Sequence, residues 1–443
     1  MNLHRMLSQR AEAGRPVRVG VVGAGKFGSM FLAQVPSTPG LEVVAIADLD
    51  VERARSACRA VGWSDARIAA TAFLEDGVAL ASDDGLEVLV EATGAPQPAV
   101  AHALAAIGAG THLVMATVEA DMLAGAALTR RAEAAGLVYA MAYGDQPALI
   151  ADMVDWARTC GFEVAAAGKG TKYLPGYHQV TPDEVWTHYG LTPEQAAAAG
   201  MNPQMFCSFL DGTKSSIEMA AVANACDLDP PRDGLGFPAC GVDDLAHLLR
   251  PKRDGGALDD GAPGRGSVEV VSSVERDGRP VFRDLRWGVY VVMRAPSHYA
   301  AACFSQYGLP TDDSGRYAAL YRPFHMIGLE IGVSVAAAAV RGEATGAPRA
   351  FRADVAAVAK RALKAGERLD GEGGRTVWGK LMPAASSVAV DAVPIGFAHG
   401  VALARDVAEG AVLTFGDLVE RPSGPAAALR AELIATLGAE RTS

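Results

Sequence analysis

The 443-residue chain has no excess of positive charge: 40 Lys and Arg stand against 51 Asp and Glu, for a net charge of −11. That balance argues against a nucleic acid or an anionic membrane as partner. An anionic substrate then needs a local basic pocket that works against the overall field. Cysteine is sparse. The six residues (Cys58, Cys160, Cys207, Cys226, Cys240, Cys303) lie far apart and never as C-x-x-C. They read as reduced core thiols, with no disulfide frame or zinc site. No apolar run reaches ~18 residues, the length a membrane helix needs. The nearest, 327–340, contains Glu330. Residues 1–16 show no apolar h-region. A soluble cytoplasmic protein is expected. With 50% hydrophobic and 21% charged residues the chain can bury a sizeable core, enough for two or three domains.

What is present is concentrated in Val17 to Asp48. An apolar run (Val17, Val19, Val21, Val22) feeds a G-x-G-x-x-G turn at Gly23, Gly25 and Gly28. A helical stretch and a second apolar run ending in Asp48 follow. Strand, glycine turn, helix, strand and terminal acid form a dinucleotide-binding unit. Gly23 permits the turn, Gly25 lets backbone amides approach a pyrophosphate, and Gly28 lets helix pack on strand. Lys26 and Phe27 open the helix, whose positive end favours the phosphates. Asp48 suits the ribose hydroxyls of NAD, while Arg53 and Arg55 could reach the 2′-phosphate of NADP. Both cofactors stay open.

The pattern after a short polar tail or helix (1–16) is alternating strand and helix over 17–150, hence a doubly wound parallel sheet of six strands. Residues 151–350 mix helices and strands, an α+β catalytic domain. Arg250 to Gly266 reads as an exposed loop, and Arg316 to Val340 as a long alanine-rich helix. Residues 351–443 read as a small all-β domain with a C-terminal helix from about 424. Within it, AKRALKAGERL and ARDVAEGAVLTFGDL look like two copies of one turn-and-strand idea.

Four constellations could carry chemistry. Lys169 and Lys172 lie in a glycine-rich loop after a strand, suited to an anion or an oxyanion. Asp211 to Glu218 opens a helix, with Ser215-x-x-Glu218 fitting a capping box. Lys214 sits there against the helix dipole, and a desolvated lysine can act as general acid. Glu119, Asp121 and Asp145 end successive strands of the nucleotide domain. They could hold a metal or a substrate hydroxyl, or serve as caps and turns. Thr93, Gly94 and Glu119 border the cofactor crevice at those strand ends. Arg294, Arg316 and Arg322, with His298 and His325, form a last set suited to phosphate or carboxylate.

The strings YGDQPALI (143–150), AAGKGTKYLPGYH (166–178), SFLDGTKSSIEMAAVANA (208–225) and SGRYAALYRPFHMIGLEIGVSVA (314–336) resemble the homoserine-dehydrogenase-like oxidoreductases with a C-terminal SAF domain. That family includes a deoxyxylulose-phosphate reductoisomerase-like (DRL) branch. The resemblance spans essentially the whole chain, with 354–419 similar to SAF domains. It implies a catalytic and dimerising middle domain, hence a homodimer or higher homo-oligomer, and for the DRL branch NADPH and a phosphorylated hydroxy-ketone. Three departures stand out, one being that Asp48 sits awkwardly with the NADPH of the DRL branch. Val118-Glu119 replaces the Asn-Lys pair of ordinary homoserine dehydrogenases. The aspartate-serine-glutamate metal motif of ordinary reductoisomerases is absent, so a divalent metal stays open.

The expectation is an NAD(P)-dependent oxidoreductase moving a hydride to or from a carbonyl or hydroxyl carbon of a small polar, anionic substrate. Lys172 or Lys214 protonates or polarises the carbonyl oxygen, Asp211 or Glu218 orients the lysine, and Lys169 binds an anionic group together with Arg294, Arg316 or Arg322. Deoxyxylulose phosphate is the most specific expectation. A homoserine-like, hydroxy-acid or sugar-acid dehydrogenase, and a non-catalytic NAD(P) sensor with an SAF ligand module, are the alternatives.

Overall fold

The computed structural model describes residues 2–262 and 264–440. Two compact units emerge, and neither is continuous in sequence. The first gathers residues up to Asp152, His325–Arg349 and the residues from Gly424. The second gathers Met153–Phe324 and Ala350–Ser423. This grouping differs from the linear division at 150 and 350, because packing takes segments from both sides of each expected boundary.

The first unit is built on β1 (Val17–Val22), β2 (Leu41–Ala47), β3 (Ala72–Leu74), β4 (Val88–Glu91), β5 (His112–Met115) and β6 (Tyr139–Met141). Their order is β3-β2-β1-β4-β5-β6, with every pairing parallel. Strands of a parallel sheet are covered on both faces and read as near-continuous apolar runs. That is why Val17, Val19, Val21, Ile46, Val88, Val90 and Val114 are all buried. The helix Pro425–Glu440 packs on the helices Pro96–Ala109 and Val118–Ala134 through Ala426, Leu429 and Leu433. Ile331 and Val335 enter the core beside β1. Ser334 and Thr345 tie this segment to the end of β6, both hydroxyls donating to the carbonyl of Met141 at 3.2 and 2.8 Å.

The long helix expected over Arg316 to Val340 is corrected. Tyr317–Arg322 is a strand, β10, paired antiparallel with β9 (Val289–Arg294). Only Ile331–Ala336 and the π turn Ala337–Arg341 are helical. Pro323 removes a backbone donor and Gly328 adopts φ +77°, so no helix can run through 323–330.

The second unit carries β7 (Glu163–Thr171), β8 (Ser267–Ser272), β9 and β10 in the order β10-β9-β7-β8. Beside it lie β11 (Ala353–Ala359), β12 (Arg368–Asp370), β13 (Val377–Pro383) and β14 (His399–Ala402), as the pairs β11-β13 and β12-β14. The two similar turn-and-strand segments face each other: Leu363 and Val407 exchange backbone hydrogen bonds at 2.9 and 3.0 Å. The helix Thr213–Cys226 is buried on nearly every side between this β region and β8. Asn224 fastens it, its Oδ1 accepting from the amides of Arg352 (2.7 Å) and Ala353 (2.9 Å).

All six cysteines are free thiols. Four are buried, but Cys160 is exposed and Cys303 half-buried, which corrects the reading of all six as core thiols. Burial pushes the Cys58 thiol to about 11 and that of Cys226 to about 12.

Candidate active site

The glycine turn is shaped as the sequence predicts. Gly23 sits at φ +95°, and a Cβ there would lie 2.7 Å from the carbonyl oxygen of Ala92. A Cβ on Gly28 would lie 2.1 Å from the carbonyl oxygen of Gly23. Gly25 and Gly94 instead face open space. An open backbone cradle at the start of the helix Lys26–Gln34 fits a pyrophosphate, with Lys26 and Phe27 in its first turn.

Asp48 does not stand as a bare acid. Its Oδ2 accepts from the amide of Ala24 at 2.9 Å, and its Oδ1 from the amide of Asp50 at 3.1 Å and from Arg53 Nη2 at 2.6 Å. Burial pushes its carboxyl up, but these hydrogen bonds and the Arg53 charge hold it below the usual carboxylate range. The Arg53 side chain is 63% exposed. An open groove of about 640 Å³ is lined by Leu49, Asp50, Val51, Glu52, Phe73 and Glu75. Arg55 lies over the Phe73 ring at 4.2 Å.

The loop after β4 is anchored by a residue the sequence argument left unassigned. Glu91 is fully buried and accepts from the Thr93 hydroxyl at 2.6 Å and from the Thr117 hydroxyl. Thr117 in turn accepts from the amide of Gly94 at 2.9 Å. One carboxylate thus fixes Thr93 and Gly94, two of the expected cofactor contacts. The signal was local: an acid that ends a buried strand needs partners.

The acids Glu119, Asp121 and Asp145 are all buried and lie near enough for their charges to act on one another. Asp121 lies inside the helix Val118–Ala134, not at its cap, and accepts from the Tyr139 hydroxyl. Burial raises its carboxyl well above the usual range, with the charges of Asp145 and Glu119 adding to the rise and the Tyr139 bond opposing it. Asp145 caps the next helix, accepting from the amide of Gln146 at 2.9 Å. Among the described residues no group of three or more His, Cys, Asp or Glu is placed to hold a metal ion.

In the second unit, the helix Thr213–Cys226 starts after Gly212 at φ +88°. The Ser215–Glu218 capping box does not form. Glu218 is drawn instead to Lys169 on β7, and both ends of this ion pair are buried. Lys214, on the first turn, is 9% exposed. Asp211 is fully buried, its Oδ1 accepting from the amide of Thr213 at 2.9 Å. Lys172 donates to the carbonyl of His188 at 2.8 Å, and burial, then Arg286, lowers its ammonium below the ordinary range.

The arginines divide. Arg322 pairs across β10-β9 with Val289, which pairs with Lys169, so Arg322 shares that end of the sheet. Arg294 lies at the far end of β9, roughly 17 Å away at strand rise. It is bound there to Glu163 at 2.5 Å. Arg316 directly precedes Tyr317, the partner of Arg294. Neither joins the lysines.

A further polar group adjoins Asp211. His178 Nδ1 lies 2.7 Å from the carbonyl oxygen of Asp211, which can only accept, so this nitrogen carries the proton. Its Nε2 then accepts from the Tyr173 hydroxyl at 2.8 Å. Burial lowers the imidazole, in keeping with a neutral ring. Lys360, 4% exposed, reaches Asp211 Oδ2 at 2.8 Å. Sequence reasoning passed over Lys360, although a lysine closing the apolar run DVAAVA is a buried cation in need of a partner.

Residues 144–331 match the family model described as "Oxidoreductase DRL, catalytic domain", and residues 17–121 the one described as "Oxidoreductase family, NAD-binding Rossmann fold". No curated protein matches. Solved structures that match include an oxidoreductase domain protein from Kribbella flavida (16% identity, 38% of this chain and 46% of that one, TM-score 0.30). Another is the 1-deoxy-D-xylulose 5-phosphate reductoisomerase from Zymomonas mobilis in complex with NADPH (17%, 47% and 58%, 0.34). A third is scyllo-inositol dehydrogenase from Lactobacillus casei with bound NAD(H) and scyllo-inositol (10%, 40% and 49%, 0.28). The chain spans about half the length of these structures. Residues 17–121 thus match an NAD-binding Rossmann domain of an oxidoreductase family, and residues 144–331 match an oxidoreductase catalytic domain.

Proposed function

We propose that the protein uses NADPH to reduce a carbonyl formed from a small phosphorylated hydroxy-ketone, and that deoxyxylulose phosphate is the substrate to test first. The observation that carries this reading is the buried Lys169–Glu218 pair, with buried Lys214 one helical turn before Glu218, within the segment that matches the DRL catalytic domain. Bound NADPH supplies the hydride. Lys214 gives a proton to the oxygen that becomes the hydroxyl. Glu218, one helical turn on, is held by Lys169 and keeps that face of the helix electrically balanced. An anionic substrate group takes Glu218's place on Lys169 or adds to it, with Arg322 at the same sheet end. With deoxyxylulose phosphate, a rearrangement to the aldehyde precedes reduction. The aldehyde then gains one hydride and one proton.

Arg53 supports NADPH. Its charge offsets Asp48, and its exposed end is free to meet a 2′-phosphate. The homoserine-dehydrogenase-like lineage, the SAF likeness of 354–419, a homodimer and a cytoplasmic site belong to the same reading. The test is NADPH consumption by purified protein with deoxyxylulose phosphate, with and without Mg²⁺ or Mn²⁺, alongside Lys214→Ala. The variant is expected to lose at least ~100-fold in turnover, the scale of a general acid, with cofactor affinity kept. Wild-type turnover in Lys214→Ala removes that lysine from the mechanism.

A further inference from the structure

The residues just before Lys214 are clasped from three directions by a part of the chain that lies outside both matched domains. Lys360 follows β11, and its Nζ reaches Asp211 Oδ2 at 2.8 Å while donating to the carbonyls of Val180 and Gly374, both at 2.7 Å. The amide of Gly379, on β13, donates to the Thr213 hydroxyl at 2.8 Å. Trp378, the residue before it, stacks on the His178 ring at 3.8 Å and 17°. His178 holds the carbonyl of Asp211. Gly212, between these two anchored residues, is enclosed: a Cβ there would lie 3.3 Å from both His178 and Phe237. Every residue from Asp211 to Thr213 is therefore fixed, and Lys214 comes next.

We propose that the C-terminal β region, residues 350–423, is a working part of the catalytic unit, and that Lys360 and Trp378 are positioning residues for Lys214. The inference rests on the reading of Lys214 as proton donor. It also makes a claim of its own, that the placement of Lys214 depends on the Lys360–Asp211 pair. A buried pair of this kind suits such a role because it has one low-energy geometry. Removing one partner leaves a buried charge that the turn must move to relieve. Removing both charges relieves it without that movement.

The experiment compares full-length Lys360→Met, Asp211→Asn and the double variant, each checked for a cooperative melt. Lys214 placement is read by mass spectrometry, as the rate at which an amine-reactive acylating reagent labels it, normalised to the exposed Lys252. Turnover is read with NADPH and deoxyxylulose phosphate. Lys360→Met is expected to change the labelling rate at least 5-fold and to lower kcat at least 10-fold, with NADPH affinity within 2-fold of wild type. The double variant is expected to return both towards wild type. Thr213→Val, which removes only the acceptor for Gly379, is the milder second variant, with a change in the same direction. Wild-type labelling of Lys214 in folded Lys360→Met and in Thr213→Val overturns the inference. Full turnover in Lys214→Ala overturns instead the reading of Lys214 as donor, and the labelling rates still decide the positioning claim.

Discussion

At the scale of single residues, buried charge decides most of what this protein can do. Water favours ions strongly, so a buried lysine or carboxylate persists only where partners replace the lost solvation. Lys169 with Glu218 and Lys360 with Asp211 meet that need as pairs. Arg53 with Asp48 is a half-exposed version of the same device. Arg53→Ala is expected to raise the KM for NADPH roughly 10-fold, the size of one charge-assisted hydrogen bond, and to leave that for NADH nearly unchanged. Equal changes for both cofactors would remove Arg53 from the 2′-phosphate contact. Glu269 shows the other outcome. Burial raises its carboxyl to about 7, even though the amides of Val270, Gly236 and Phe237 and the charge of Arg276 pull it down. Between about 4.5 and 7 the folded chain keeps a proton that the unfolded chain has released. Stability therefore falls as pH rises through that window, by on the order of 3 kcal/mol. Denaturant melts at pH 5 and pH 8 should show this loss in the wild type and a flat response at that site in Glu269→Gln. Parallel pH responses in the two proteins would contradict it.

At the scale of elements, the glycine turn and the helix Thr213–Cys226 position the residues on which the proposed chemistry rests. The turn depends on the contact between Gly28 and the carbonyl of Gly23. Gly28→Ala cannot be relieved by a side-chain rotation because the obstacle is backbone. It is expected to cost about 1–3 kcal/mol of stability and to weaken NAD(P)H binding measurably by fluorescence titration. Wild-type affinity would show that the cradle tolerates helix displacement. Elements were legible in the sequence wherever the pattern was local. The six parallel strands, the glycine turn and the C-terminal helix all follow from apolar period and turn residues. Arg316–Val340 reads as a helix because its apolar residues suit one, while the cross-strand partners that make Tyr317–Arg322 a strand lie elsewhere in the chain. Ser215-x-x-Glu218 fitted a capping box locally, but the long-range ion pair with Lys169 won. Lys360 and Trp378 went unseen for the same reason: their partners, Asp211 and His178, are more than a hundred residues away.

At the scale of the whole molecule, each unit is assembled from distant segments. Discontinuity of this kind makes a terminal element structural for a domain at the other end of the chain. The helix Pro425–Glu440 buries Ala426, Leu429 and Leu433 in the nucleotide-binding unit. A chain ending at Ser423 should lose roughly 4 kcal/mol there, and the melting of that unit should fall by about 10 °C. NAD(P)H affinity should weaken with it, and an unchanged melt would show that the helix is dispensable. No helix among the described residues is long and apolar enough to cross a membrane. The central claim is that hydride from NADPH reaches a substrate carbonyl on this protein. The most direct measurement is a reaction of purified protein with NADPH carrying deuterium at nicotinamide C4 and deoxyxylulose phosphate, followed by mass spectrometry of the product. With both C4 hydrogens of NADPH replaced by deuterium, the account predicts methylerythritol phosphate with one deuterium on the primary alcohol carbon that was the aldehyde after the rearrangement. Recovery of deoxyxylulose phosphate unchanged, with labelled NADPH bound but not consumed, would contradict it.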